Sequence, residues 1–126
     1  MTEGSSLIAD MIAVLFLSRD IAHREHLSTT SYAQHMALGE FYPAVIELAD
    51  RLAEAYQGRH GLIGVIPLAE NDFKTGGIVN ILSQHLMWIE NNRAKAAPKT
   101  DSTLQNLIDE VIAQYLSTLY KLKHLK

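Results

Sequence analysis

The feature that most limits what this chain can fold into is an apolar recurrence every three or four positions, in four blocks separated by turn-forming residues. That spacing is the period of an α-helix, where positions i, i+3, i+4 and i+7 share one face. The first block spans about residues 5–27, with Leu7, Ile8, Met11, Ile12, Leu15 and Ile21 in register. Ser5 or Ser6 is placed to cap it, because a serine hydroxyl accepts a hydrogen bond from an unpaired first-turn N–H. The run Ser28-Thr29-Thr30-Ser31 breaks the pattern, since short hydroxyl side chains compete for backbone hydrogen bonds. A second block, about residues 31–57, carries Tyr32, Met36, Leu38, Phe41, Val45, Leu48, Leu52 and Tyr56, with Gly58 as its expected stop. Pro43 lies inside it and should bend the helix or break it locally, having no N–H to donate.

The third block covers about residues 72–97 and carries Ile78, Ile81, Leu82, His85, Leu86 and Ile89, with a start at Asp72 or Lys74. Gly76 and Gly77 blur that start, and Pro98 ends the helix. The fourth runs over about residues 101–124 from a cap at Asp101 or Ser102, with Leu104, Leu107, Ile108, Val111, Tyr115, Leu119 and Leu122 as its stripe. Asp109 and Glu110 precede Lys121 and Lys123, a polarity that suits the helix dipole. Between Gly58 and Asn71, Gly61, Gly64 and Pro67 alternate with Leu62, Ile63, Val65, Ile66 and Leu68. This stretch reads as a short buried loop or an irregular crossover, because a lone strand has nothing to pair with. Four amphipathic helices in 126 residues predict one all-α domain, a four-helix bundle around one core.

Composition removes several kinds of chemistry. The chain has no cysteine, which excludes disulfides, thiolate zinc sites and cysteine nucleophiles, and suits a cytoplasmic location. Eleven basic and 14 acidic residues leave a net charge of −3. The one basic cluster is Lys121, Lys123, His124 and Lys126, and Met1 to Ser6 is no basic arm, so DNA is the disfavoured partner. Leu7 to Leu17 is too short for a membrane span, is interrupted by Asp10, and lacks the basic leader of a secretion signal. A membrane role is not expected. No nucleotide-binding loop, serine-nucleophile elbow or zinc-protease motif is present.

Candidate chemistry gathers at the junction of the first two helices. Three of the six histidines, His23, His26 and His35, crowd it. Asp50 and Glu54 follow on the second helix, one turn apart on one face. Imidazole nitrogen with carboxylate oxygen suits Fe, Mn or Zn. Along a continuous helix, however, His35 and Asp50 lie roughly 22 Å apart, so one chain cannot bring both to one ion. Two copies packed antiparallel about a two-fold axis would bring His35 of one near Asp50 and Glu54 of the other.

His23, eleven residues, His35, fourteen residues, Asp50, three residues, Glu54: this pattern resembles the ferroxidase pattern of the Dps proteins, the DNA-protecting mini-ferritins. The segment HMALGEFYPAVIELADRLAEAYQG is similar to that family's second helix, and DSTLQNLIDEVIAQYLSTLYKLKHL to its last. The resemblance implies a ferritin-like four-helix bundle that binds iron, with Zn or Mn as substitutes, and oxidises Fe(II) for storage or detoxification. It implies His23 and His35 as ligands from one subunit and Asp50 and Glu54 from its two-fold mate, in a homo-oligomer of at least a dimer and, in that family, a twelve-subunit shell. The chain is also similar to small phage-encoded proteins with a Dps-like core. It departs from the family at Arg24, where a Trp is usual, and at Gly39, where an acidic residue is expected, with Glu40 beside it. His26 and Glu40 therefore stand as further candidate ligands. His26, three residues after His23, can face the same site or cap the first helix. The alternative is a non-catalytic helical bundle, structural or interacting, with a degenerate metal site.

Simpler roles are expected elsewhere. His60, His85 and His124 read as packed or hydrogen-bonded side chains, although His85 on an apolar helix needs a partner. Phe41, Tyr42 and Trp88 read as core or interface packing, and Tyr32 as a space-filler near the histidines.

Overall fold

Helix starts in this chain follow the side chains that can serve free first-turn amides. The computed structural model describes residues 6–70 and 77–126. It contains α1 (Leu7–Ser28), α2 (Tyr32–His60), α3 (Ile78–Ala96) and α4 (Ser102–His124), with no strand among the described residues. Ser6 caps α1 by accepting from the Ala9 amide at 3.2 Å, Ser31 caps α2 through Gln34, and Asp101 caps α4 through Leu104. Helix α3 starts after Gly77, which has no side chain to offer a cap. The expected starts at Ser5, Asp72 and Lys74 lie outside the described residues. At the other end of α2, Gly58 stays helical and Gly61 ends the helix instead, with φ at +89°. That left-handed backbone favours glycine. Helix α2 also runs unbroken through Pro43, which leaves the Gly39 carbonyl without its usual i+4 donor.

The apolar stripes fill one core. Ile8, Met11, Ile12 and Leu15 of α1 meet Leu38, Phe41, Val45 and Leu52 of α2, Leu82 and Ile89 of α3, and Leu104, Ile108 and Tyr115 of α4. Phe41 meets Tyr115 edge-on at 5.1 Å, the arrangement that ring quadrupoles favour. Truncating one of these side chains, as in Leu38→Ala, costs about 2–5 kcal/mol, because the packed neighbours relax only partly into the cavity. Two residues of the predicted α2 stripe are exposed instead: Tyr32 and Met36. Tyr32 stands nine residues before buried Phe41 and Met36 nine before buried Val45, which is two and a half turns, so both lie on the face of α2 turned away from the core. Tyr32 therefore fills no space among the histidines.

Ion pairs settle the helix directions. Glu40 meets Lys121, Arg51 meets Glu110 and Arg59 meets Asp101, so α2 and α4 run antiparallel. Helices α1 and α2 form an antiparallel hairpin across residues 29–31. Arg93 of α3 reaches Gln105 and Asp109 of α4 across the short 97–101 link, so this pair is antiparallel too. Helix α2 packs on α1 and α4, and α3 packs on the same two. Thus α2 and α3 are parallel and diagonal, and so are α1 and α4. The end of α2 and the start of α3 therefore lie at opposite ends of the bundle, with 17 residues between His60 and Ile78. A 19-residue helix is about 28 Å long, well within the reach of such a connection. One long crossover joining two helical hairpins is the connectivity of ferritin-like bundles. The described part of the crossover, residues 61–70, has no regular structure. Its Ile63 and Ile66 pack against the core, and Pro67 is buried.

Candidate functional site

At the α1–α2 junction, two histidines each hold the other's backbone. His26 Nδ1 donates to the His35 carbonyl at 2.7 Å, and His35 Nδ1 donates to the His26 carbonyl at 2.8 Å. A carbonyl can only accept, so each Nδ1 carries the hydrogen and each Nε2 is the free ring nitrogen when the ring is neutral. The His26 carbonyl lies in the last turn of α1, past which no helical amide reaches it. Hence His35 caps α1, not His26 itself. The two rings stack at 3.8 Å with only 16° between their planes.

Close approach of the helices makes this possible. A Cβ added at Gly39 would lie 2.9 Å from His26 Cε1, so the His26 ring occupies space that any other residue would fill. The acidic residue expected from the resemblance would collide there. Beside this pair, His23 stacks on Tyr42 at 4.1 Å and 7°, and Tyr42 is also 5.4 Å from His26. All four rings are partly buried.

The remaining candidates sit apart from the histidines. Asp50 and Glu54 are exposed one turn apart on the outer face of α2, without an ion pair among the described residues. Glu40 is engaged by Lys121 at 2.5 Å. Among the described residues, no three His, Asp or Glu side chains of one chain converge to hold a metal ion. Stacked imidazoles direct their in-plane lone pairs along nearly parallel planes, so His26 and His35 do not both aim at one ion in this arrangement. Within one chain the donor set does not fit a metal. Across a two-fold axis its nitrogen and oxygen donors are chemically suitable.

A second polar group lies in the middle of the bundle. The Tyr115 hydroxyl donates to Ser18 Oγ at 2.5 Å, and Ser18 Oγ lies 2.7 Å from His85 Nδ1. All three residues are buried, on α4, α1 and α3 respectively. The hydrogens are fully used if Ser18 passes its own to Nδ1, leaving His85 neutral with the hydrogen on Nε2. Burial lowers the His85 pKa from 6.5 to about 4, and burial raises that of Tyr115 against the opposing pull of its Ser18 bond. Ser18 is thus the partner that His85 requires. The residue was legible in principle: it lies in the buried register Met11, Leu15, Ser18, Ala22, a polar side chain on an apolar face. A serine hydroxyl next to an imidazole is also the start of a nucleophile–base pair. Here it is sealed from solvent and already spent on two neighbours.

At the opposite end of the bundle Asp101 does two tasks. Oδ1 caps α4, while Oδ2 lies 2.8 Å from Arg59 Nε and 3.8 Å from His60 Nε2. The Arg59 approach lacks the alignment of a hydrogen bond, so buried Oδ2 is neutralised by charge without a directed donor. His60 also leans on Tyr56, and His124 on Tyr120. Among the described residues, no helix is long and apolar enough to cross a membrane.

No curated protein and no solved structure matches this chain. A family model does, over residues 26–122, a span that holds His26, His35, Gly39, His85 and Tyr115 but not His23 or Ser18. The chain belongs to DUF5856, a family of unknown function.

Proposed function

We propose that this protein is a non-catalytic helical scaffold that acts through protein contacts in a homo-oligomer, its junction histidines serving as a structural clasp. The observation that carries this reading is the reciprocal pair His26–His35, in which both Nδ1 atoms are spent on backbone carbonyls and both ring faces on each other. A clasp of this kind fixes the angle between α1 and α2 and closes the end of α1. Its test is metal analysis of purified protein alongside His35→Ala. The expected result is no stoichiometric iron or zinc in either protein, and a less stable variant. Iron or zinc at near one per chain that disappears in His35→Ala overturns it.

One observation favours a second reading, the iron site shared across a two-fold axis. Donation of Nδ1–H to a carbonyl is also how metal-binding histidines are commonly oriented, because it leaves Nε2 as the ligand atom. In this reading His23 and His35 of one protomer, with Asp50 and Glu54 of the partner subunit, receive Fe(II) as a substrate, and His26 or Glu40 substitutes for the carboxylate that Gly39 lacks. The neutral imidazoles supply nitrogen donors and the two carboxylates offset the metal charge. Peroxide consumption that depends on Fe(II) and is lost in both His35→Ala and Glu54→Ala supports it. Equal activity in both variants removes it.

A further inference from the structure

Helix α3 is fastened unequally along its length. Toward its C-terminal end, Arg93 donates from Nε to Gln105 Oε1 and from Nη2 to the Gln105 carbonyl, both at 2.9 Å. Gln105 Nε2 in turn donates to the carbonyls of Arg93 and Ala97 at 3.1 and 3.2 Å, and Asp109 pairs with Arg93 at 2.7 Å. Before Arg93, the one hydrogen bond from α3 to another helix, among the described residues, is that of His85 to Ser18. Gly77 offers the start of α3 no side-chain cap. Apolar burial of Ile78, Leu82, Leu86 and Ile89 supplies the rest of the hold.

The hydrogen count makes that single polar link intolerant of acid. Tyr115 donates to Ser18 Oγ, and Ser18 donates to Nδ1 of a neutral ring. A proton added at Nδ1 removes the acceptor that Ser18 uses, and it places a charge inside the bundle. No counter-charge meets it. Ser18 of α1 and Tyr115 of α4 face the ring, both uncharged in acid, and α2 does not pack on α3. Burial alone holds His85 down to about 4, with no charged neighbour contributing.

We propose that α3 is an acid-released arm: protonation of His85 frees residues 78–92 from the bundle, while the Arg93–Gln105 clasp holds the other end as a hinge. Opening brings buried Leu82, Leu86 and Ile89 into water, so acid makes a sealed bundle present an apolar surface. The direction follows from linkage. His85 takes up its proton near 6.5 in the open arm and near 4 in the closed one. The closed arm is therefore fully favoured above about pH 6.5 and loses that advantage as the pH falls toward 4, with a roughly thirtyfold rise in the opening constant between pH 7.5 and 5.

Native-state amide hydrogen exchange at those two pH values, with low denaturant added, tests this. The expected result is that residues 78–92 exchange through an opening less protected and less denaturant-dependent than that of α1 and α2. That opening should grow roughly thirtyfold from pH 7.5 to 5. His85→Asn sets a carbonyl oxygen where Nδ1 accepts and takes up no proton, so the growth should vanish. Residues 78–92 that open only together with α1 and α2 overturn the proposal, as does growth that persists in His85→Asn. If that variant does not fold, Trp88, the one tryptophan, reports on the unaltered chain. Its quenching by acrylamide should rise below about pH 6.5 before most helical circular dichroism is lost. Simultaneous change of the two signals overturns the arm.

Discussion

Two polar clusters in this bundle use the same residue type to opposite ends. In the middle, His85 is sealed among three helices and forms the end of a chain from Tyr115 through Ser18. At the hairpin end, His26 and His35 are half-buried and spend their Nδ1 atoms on backbone. The inner cluster has no access to water, so each missing partner there leaves a group unsatisfied. In the outer one, water can replace a lost bond. Histidine therefore specifies packing in the first case and joins two helix ends in the second.

The largest expected effect is Ser18→Ala, which strands both the Tyr115 hydroxyl and His85 Nδ1. A loss of about 2–5 kcal/mol is expected from two unsatisfied buried groups, read as the denaturation midpoint. A loss below that of Tyr115→Phe would show that the cluster is not a chain. Acid should reveal the same site. The unfolded chain takes up a proton near pH 6.5, whereas folded His85 resists until about 4. Stability from this group is therefore full above about pH 6.5 and falls as the pH drops toward 4, by on the order of 3 kcal/mol. Replacing His85 with Leu should flatten that slope, in denaturant titrations at several pH values.

Smaller effects test the outer cluster. Gly39→Ala forces His26 off α2, so a loss of about 1 kcal/mol is expected despite the better helix propensity of alanine. In a His26→Ala background the space is free, and the same change should become stabilising, which a double-mutant cycle detects. Last, His26→Ala and His35→Ala should each cost about 0.5–1.5 kcal/mol, with less than additive loss in the double variant because each ring supports the other. If the outer histidines prove costlier than Ser18, the contrast between the two clusters is wrong.

Much of the fold was legible in the sequence because it rests on local rules. The caps at Ser6, Ser31 and Asp101, the stop before Pro98 and most of the core stripe follow from hydrogen-bonding chemistry and a 3.6-residue period. Tyr32 and Met36 share a four-residue spacing with each other but stand half a turn round α2 from Phe41 and Val45, so apolar character with helical spacing does not put them on the core face. Gly58 was misread as a stop, since glycine permits a left-handed residue but does not require one; Gly61 adopts it instead. For the candidate site, the crowding of His23, His26 and His35 at the junction was visible. Their bonding was not.

The sequence by itself determined that this chain makes four amphipathic helices, three of them with a side-chain cap, that it carries no thiol chemistry, and that His85 must find a partner. Those are properties of neighbouring residues and of composition. Tertiary structure alone decided that the partner is Ser18, 67 positions away, that His35 closes α1 through the carbonyl of His26, and that α2 and α3 run parallel with a crossover between them. Each depends on which side chains meet across helices. No spacing along one chain encodes that distance.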